Sequence, residues 1–199
     1  MAESDLPILF LDVDGPLHPW DNDLSKRPDG YQTFRWQVPP SVKPDGRRDN
    51  GKRRVWLRPE HGPELLKLPV QLVWATAWAH SANVRIGPHL GLPELPVALA
   101  ENKYGSRGPS QSWKTEALLE YAAGRPFAWA DDEIFHLDVE CITQHAVPDA
   151  LLLPCDPSTG LQTRDFEAAR RWAEGIAPGA FRGVSIAEHR EKLLRQRYR

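Results

Sequence analysis

Ile8-Leu9-Phe10-Leu11-Asp12-Val13-Asp14-Gly15-Pro16-Leu17 is an apolar run that stops on two carboxylates and a glycine. Residues 7–13 predict a short strand buried on both faces, because apolar, β-branched and aromatic side chains follow one another without polar alternation. Strands of that kind belong to a parallel sheet covered by helices. Asp12 and Asp14, with one residue between them, leave the strand where an unpaired charge is costly to bury. Their position calls for a cation.

The same strand pattern recurs at 70–76 (Val-Gln-Leu-Val-Trp-Ala-Thr), 96–100, 126–131 and 150–153. Helical patterns lie between these runs, at 59–68, 81–86, 112–123 and 164–174. The first opens with proline and acid, and the third has Ser112 as its N-cap and Gly124 as its stop. Alternation of this kind predicts an α/β fold, a doubly wound parallel sheet with flanking helices. Residues 18–58 depart from it. Turn chemistry at Pro28-Asp29-Gly30 and Pro44-Asp45-Gly46 separates strand-like 31–38 from 54–57, which predicts a β-hairpin flap inserted after strand 1. The whole of 1–199 reads as one domain, with the flap at about 18–58 and a helical tail at about 180–199.

In an open parallel sheet, ligands bind at the carboxyl ends of the strands. Asp12, Asp14, Thr76 and Asp131 all fall at predicted strand ends, and Lys114 falls at the start of a helix, so residues far apart in sequence can converge. Each has a chemical task. A carboxylate at 12 can attack phosphorus, and Asp14 can protonate the leaving oxygen and later deprotonate water. Asp12, Asp131 and Asp132, with the carbonyl of Asp14, offer the oxygen ligands that Mg²⁺ prefers. Thr76 can hydrogen-bond a phosphoryl oxygen, and Lys114 can balance its charge.

Asp12-Val13-Asp14-Gly15, Thr76, Lys114 and Asp131-Asp132 together resemble the four motifs of the haloacid dehalogenase-like superfamily of phosphohydrolases. The resemblance covers residues 7 to about 155, in order, spacing and strand-end context. It implies a Rossmann-like fold, Mg²⁺ dependence and an aspartyl-phosphate intermediate. Asp14 sets the chain apart from the dehalogenating branch, which uses no metal. Pro16 stands where the family usually has threonine. The short stretch between the first two motifs, and Val55-Trp56-Leu57-Arg58-Pro59-Glu60 before Val73-Trp74-Ala75-Thr76, resemble the small-cap branch. That branch includes protein phosphatases and polynucleotide 3′-phosphatases. The expectation is a Mg²⁺-dependent phosphomonoester hydrolase. Two alternatives stand beside it: a polynucleotide end-healing phosphatase, and a catalytically silent phosphate-binding or regulatory domain.

Composition narrows the partners. A formal net charge of −2 over 199 residues gives no global attraction to nucleic acid or to an anionic membrane. A phosphorylated substrate is the expected partner. The one clear basic run, Lys43 to Arg54, can guide a polyanion such as nucleic acid, but it reads more simply as a solvated hairpin tip. The acidic start and short apolar runs predict a cytoplasmic protein with no membrane partner, as monomer or homodimer. Cys141 and Cys155 are too few for a disulfide framework. Trp36, Trp78 and Trp113 lie near the motifs; packing is the simplest role for them, and stacking on a substrate is the alternative. His18, His80 and His89 can reach substrate, but no histidine pair has the spacing of a zinc site.

Overall fold

Strand β1 (Ile8–Leu11) runs through the middle of a four-stranded parallel sheet. The computed structural model describes residues 6–20, 26–38, 40–42, 47–99, 111–145 and 149–176. The expected tail at about 180–199, the Pro44-Asp45-Gly46 turn and Lys43 lie outside the described residues. After β1 come β2 (Gln32–Gln37), β3 (Ser41–Val42), β4 (Arg48–Asp49) and β5 (Lys52–Leu57). Helix α1 (His61–Leu66), β6 (Gln71–Trp74), α2 (Ser81–Arg85) and α3 (Gly87–Leu90) follow. The chain continues through α4 (Thr115–Ala122), β7 (Phe127–Asp131), α5 (His136–Gln144), β8 (Leu151–Pro154) and α6 (Thr163–Gly175).

The sheet order is β6-β1-β7-β8, with every pairing parallel. Alternation along β1 explains how the sheet is covered, because successive side chains point to opposite faces. Ile8 and Phe10 join a core with Leu118 and Ala122 of α4 and Val139 and Ile142 of α5. Leu9 and Leu11 join the other core, with Leu65 of α1, Leu90 of α3 and Phe166 and Trp172 of α6. Each fully buried side chain of this size contributes about 1.5–3 kcal/mol relative to exposure.

Between β1 and β6, strands β2 and β5 pair antiparallel, from Gln32 opposite Leu57 to Gln37 opposite Lys52. Their inner ends belong to the same molecule-wide packing, since Val55 and Leu57 are buried in the α6-side core. The Pro28-Asp29-Gly30 turn forms as expected, with Gly30 at a φ of 81° and the Tyr31 N–H donating to the Pro28 carbonyl. Among the described residues no helix is long and apolar enough to cross a membrane.

Two local expectations need correction. Among the described residues, which end at 99 here, the run at 96–100 makes a single bridge, Val97 to Trp74, instead of a strand. Prolines at 93 and 96 interrupt the donors that a strand would need. Ser112 is not the N-cap of α4. Lys114 occupies that position, and the backbone N–H of Ser112 instead donates to Asp138. Helix α5 has no helical pattern in the sequence, because its buried face rests on few apolar residues and on the buried carboxylate of Asp138.

Candidate active site

Parallel register brings the carboxyl ends of β1, β6 and β7 to one edge. Leu11 lies between Trp74 and Ala130, so Asp12, the residue after β1, sits beside Ala75 and Asp131. Backbone bonds hold that junction: the Asp12 N–H donates to Ala130 O at 3.0 Å and the Ala75 N–H to Leu11 O at 2.9 Å. Beyond it the chain turns back sharply. Gly15 adopts a φ of 89°, and a Cβ there would stand 2.5 Å from the Asp132 side chain. Glycine is therefore required twice over, for its backbone angle and for the approach to Asp132.

At the floor of the site, the Lys114 ammonium donates to Asp12 Oδ2 and to Asp131 Oδ2, each at 2.6 Å. All three side chains are buried. The remaining oxygens are also occupied, Asp12 Oδ1 by the Val13 N–H at 2.7 Å and Asp131 Oδ1 by the Glu133 N–H at 2.8 Å. The Trp129 indole adds a third donor to Asp131, at 3.0 Å. Lys114 is placed by a buried anchor that was not singled out from sequence. Asp138 accepts from the Ser112 N–H, the Thr115 hydroxyl and the Phe135 N–H, tying the start of α4 to the start of α5.

One ammonium cannot neutralise two carboxylates, and the electrostatics record it. Burial is the largest influence on Asp12 and pushes its pKa up to about 8; Lys114 pulls against that rise and Asp131 adds to it. Burial opposes the charge on Lys114, but Asp131 and Asp12 outweigh it and hold the ammonium above its ordinary value. Asp132 is pushed up to about 7, by burial first and then by Asp131, against the Trp20 hydrogen bond. Burial thus favours the neutral forms of these acids, and a further cation among them would favour their ionised forms.

Asp12, Asp131 and Asp132 each offer a carboxylate oxygen, and these atoms lie within 4.8 Å of one another. Three convergent oxygens and no sulfur or imidazole suit a hard divalent cation such as Mg²⁺ or Ca²⁺. The group therefore fits such an ion. Asp14 lies outside this cluster and is held separately, its Oδ2 accepting from the Trp78 indole at 2.9 Å. Asp132 is held the same way by Trp20, at 3.0 Å.

A cavity opens above these groups, lined by Asp12, Asp14, Trp20, Ala77, Trp113, Lys114, Asp132 and Glu133, with a volume of about 390 Å³. Thr76 is fully buried at the end of β6, and its hydroxyl oxygen accepts the Trp78 N–H at 3.3 Å. Thr76 itself does not line the cavity; its chain neighbour Ala77 does. The structure thus gathers Asp12, Lys114, Asp131 and Asp132 directly, with Asp14 on the wall of the same cavity.

Several of the other residues considered from sequence have structural partners instead. The His18 Nδ1 accepts the Trp56 N–H at 3.3 Å, linking the first loop to β5. His89 stacks on Phe34 at 4.0 Å, while His80 is exposed at the start of α2. Cys141 and Cys155 are not bonded to each other. Trp36 and Trp78 pack ring to ring at 5.8 Å, and Trp113 lines the cavity. Trp20, Trp129 and Asp138 are the site residues that sequence reasoning missed. Tryptophan near acidic motifs was the available signal, since a buried indole N–H needs an acceptor. No family model matches the chain, and neither a curated protein nor a solved structure is significantly similar to it.

Proposed function

We propose that the protein is a Mg²⁺-dependent phosphomonoester hydrolase that works through an aspartyl-phosphate on Asp12. The observation that carries this reading is the lysine-bridged pair Asp12 and Asp131 at adjacent strand ends, with Asp132 converging on them. A structural ion pair needs one carboxylate per lysine; two acids on one lysine, with a third converging on them beside a cavity, suit a metal and a phosphate. The resemblance to haloacid dehalogenase-like phosphohydrolases supports the same reading. In it, the four-stranded sheet is the Rossmann-like body, and β2–β5 is a small flap in place of a globular cap.

Asp12, Asp131 and Asp132, with the Asp14 carbonyl, would hold the ion, which when bound screens the attacking carboxylate from the phosphate. In the first step an Asp12 oxygen bonds to phosphorus, the phosphorus–ester oxygen bond breaks, and Asp14 gives that oxygen its proton. In the second, a water oxygen bonds to phosphorus, its proton goes to Asp14, and the bond to Asp12 breaks to release inorganic phosphate. Lys114 balances charge on Asp12 and on the phosphoryl group. The Thr76 hydroxyl, whose oxygen accepts from Trp78, keeps its own proton to donate to a phosphoryl oxygen.

A second reading, an end-healing phosphatase on polynucleotides, draws support from β2 and β5. The Arg54 guanidinium lies 4.2 Å over Trp56 and that of Arg85 5.9 Å over Trp36, and such pairs can receive phosphates and bases. Phosphate release should be measured with and without Mg²⁺ from sugar phosphates, nucleotides, phosphopeptides and 3′-phosphorylated oligonucleotides. We expect Mg²⁺-dependent release that Asp12→Asn abolishes while the protein stays folded. Turnover by Asp12→Asn near the wild-type rate would sink the mechanism, and preference for the oligonucleotides would favour the second reading.

A further inference from the structure

We infer that Trp78 is a positioning residue that holds the Asp14 carboxyl in one orientation on the cavity wall, with Trp36 of β2 as its brace. The inference rests on the hydrolase reading above. The Trp78 indole donates to Asp14 Oδ2 at 2.9 Å, and the backbone N–H of the same residue donates to Thr76 Oγ1 at 3.3 Å. One residue thus touches two members of the proposed machinery. Its ring leans on Trp36 at 5.8 Å and 59°, and the Arg85 guanidinium lies over the far partner of that pair.

An indole nitrogen can only donate. Asp14 Oδ2 is therefore the accepting oxygen of the pair, and the carboxyl cannot rotate without giving up that bond. The proposed transfers, to the leaving oxygen and later from water, then run through a carboxyl held in one orientation. Position matters here because proton transfer demands hydrogen-bond reach in the reacting complex.

The test uses leaving-group chemistry. An alkoxide needs a proton to depart, whereas p-nitrophenolate leaves without one. The value of kcat/KM covers the steps through departure of the alcohol. Trp78→Phe keeps an aromatic body against Trp36 and removes only the donor. It should lower kcat/KM for glycerol 2-phosphate about 10–100-fold and for p-nitrophenyl phosphate less than about threefold, a share of what general acid catalysis supplies. In an Asp14→Asn background, Trp78→Phe should cause no further loss on either ester. Equal losses on both esters, or a loss that persists beside Asp14→Asn, would overturn the assignment. Should Trp78→Phe fail to fold, Trp36→Leu leaves the indole of Trp78 intact and should show the same unequal pattern in weaker form; equal losses there count against the assignment as well. Asp12→Asn separates the two levels of the argument. If it still turns over, the hydrolase reading fails; if it is dead while Trp78→Phe slows both esters alike, only the role of Trp78 is wrong.

Discussion

The four acids of the site are held in two different ways. Asp12 and Asp131 lie on the buried floor and share the ammonium of Lys114. Asp14 and Asp132 are half-buried nearer the rim, and each accepts one indole N–H, from Trp78 and Trp20. The difference follows from what each partner does to a carboxyl group. An ammonium shared by two buried carboxyls ties them together through charge, and its loss strands both. An indole supplies one neutral hydrogen bond, which aims a carboxyl without placing a charge beside it. The floor is thus held by charge and the rim by orientation, a division that accords with the proposed roles of Asp12 as nucleophile and Asp14 as acid and base.

If charge holds the floor, Lys114→Met should have the largest effect on stability of any single change in the site. It leaves two carboxylates facing each other without a cation, and breaking a buried pair in this way costs about 3–5 kcal/mol. Chemical denaturation in EDTA should show that loss, and Mg²⁺ should restore part of it. Phosphate release should disappear. A change below about 1 kcal/mol in EDTA would mean that the floor acids are held by their backbone and indole donors, and the contrast with the rim would lose its basis.

The floor was largely legible in the sequence and the rim was not. An apolar run that ends on a carboxylate is a local signal, and parallel pairing then carries Asp12, Thr76 and Asp131 to one edge without further information. The hairpin strands were equally local, given their turn residues and alternation. Lys114 could be placed because it opens a helix that follows β6 by one crossover. The indole bonds have no such signature, since Trp20 and Asp132 are 112 residues apart and Trp78 and Asp14 are 64 apart. Nothing in residue spacing announces which ring will reach which acid. Asp138 was hidden for another reason: as a buried acid with backbone and hydroxyl donors it looks, in sequence, like a surface residue.

The pH dependence of stability will mix these acids with His61, which must be separated from them. His61 packs between Tyr31 and Phe166, far in character from the acid cluster, and its Nδ1 has no partner among the described residues. Burial, followed by Arg58, pushes its pKa down to about 4, against Glu60 and the Leu161 backbone. With the folded value below the ordinary 6.5, the unfolded chain takes up a proton first as the pH falls. His61 therefore favours folding fully above about pH 6.5 and loses up to about 3 kcal/mol by pH 4. Asp12 and Asp132, raised by burial, act in the opposite direction and weaken the metal-free protein as the pH rises toward 7 and 8. Urea titrations of wild type and His61→Leu in EDTA, at pH 7 and pH 4, should differ by that acid-side loss. Parallel profiles would show that His61 is protonated in the folded state, and the whole pH dependence would then belong to the acids.

The smallest expected effect is at the rim. Trp20 is 43% exposed, so its bond to Asp132 competes with water, and Trp20→Phe should cost about 1 kcal/mol or less in the metal-free protein. Its consequence for cation binding should be larger in proportion. Without the indole, Asp132 keeps its place beside Gly15 but loses the donor that aims its second oxygen, and a ligand aimed less well binds more weakly. Titrating Mg²⁺ against the thermal midpoint should therefore show weaker binding by about tenfold, with little change in the midpoint in EDTA. The reverse result, a large loss of stability with Mg²⁺ affinity intact, would place Trp20 among the packing residues. Asp132 would then be held by the turn at Gly15 alone, and only Asp14 would remain under the control of a neutral donor.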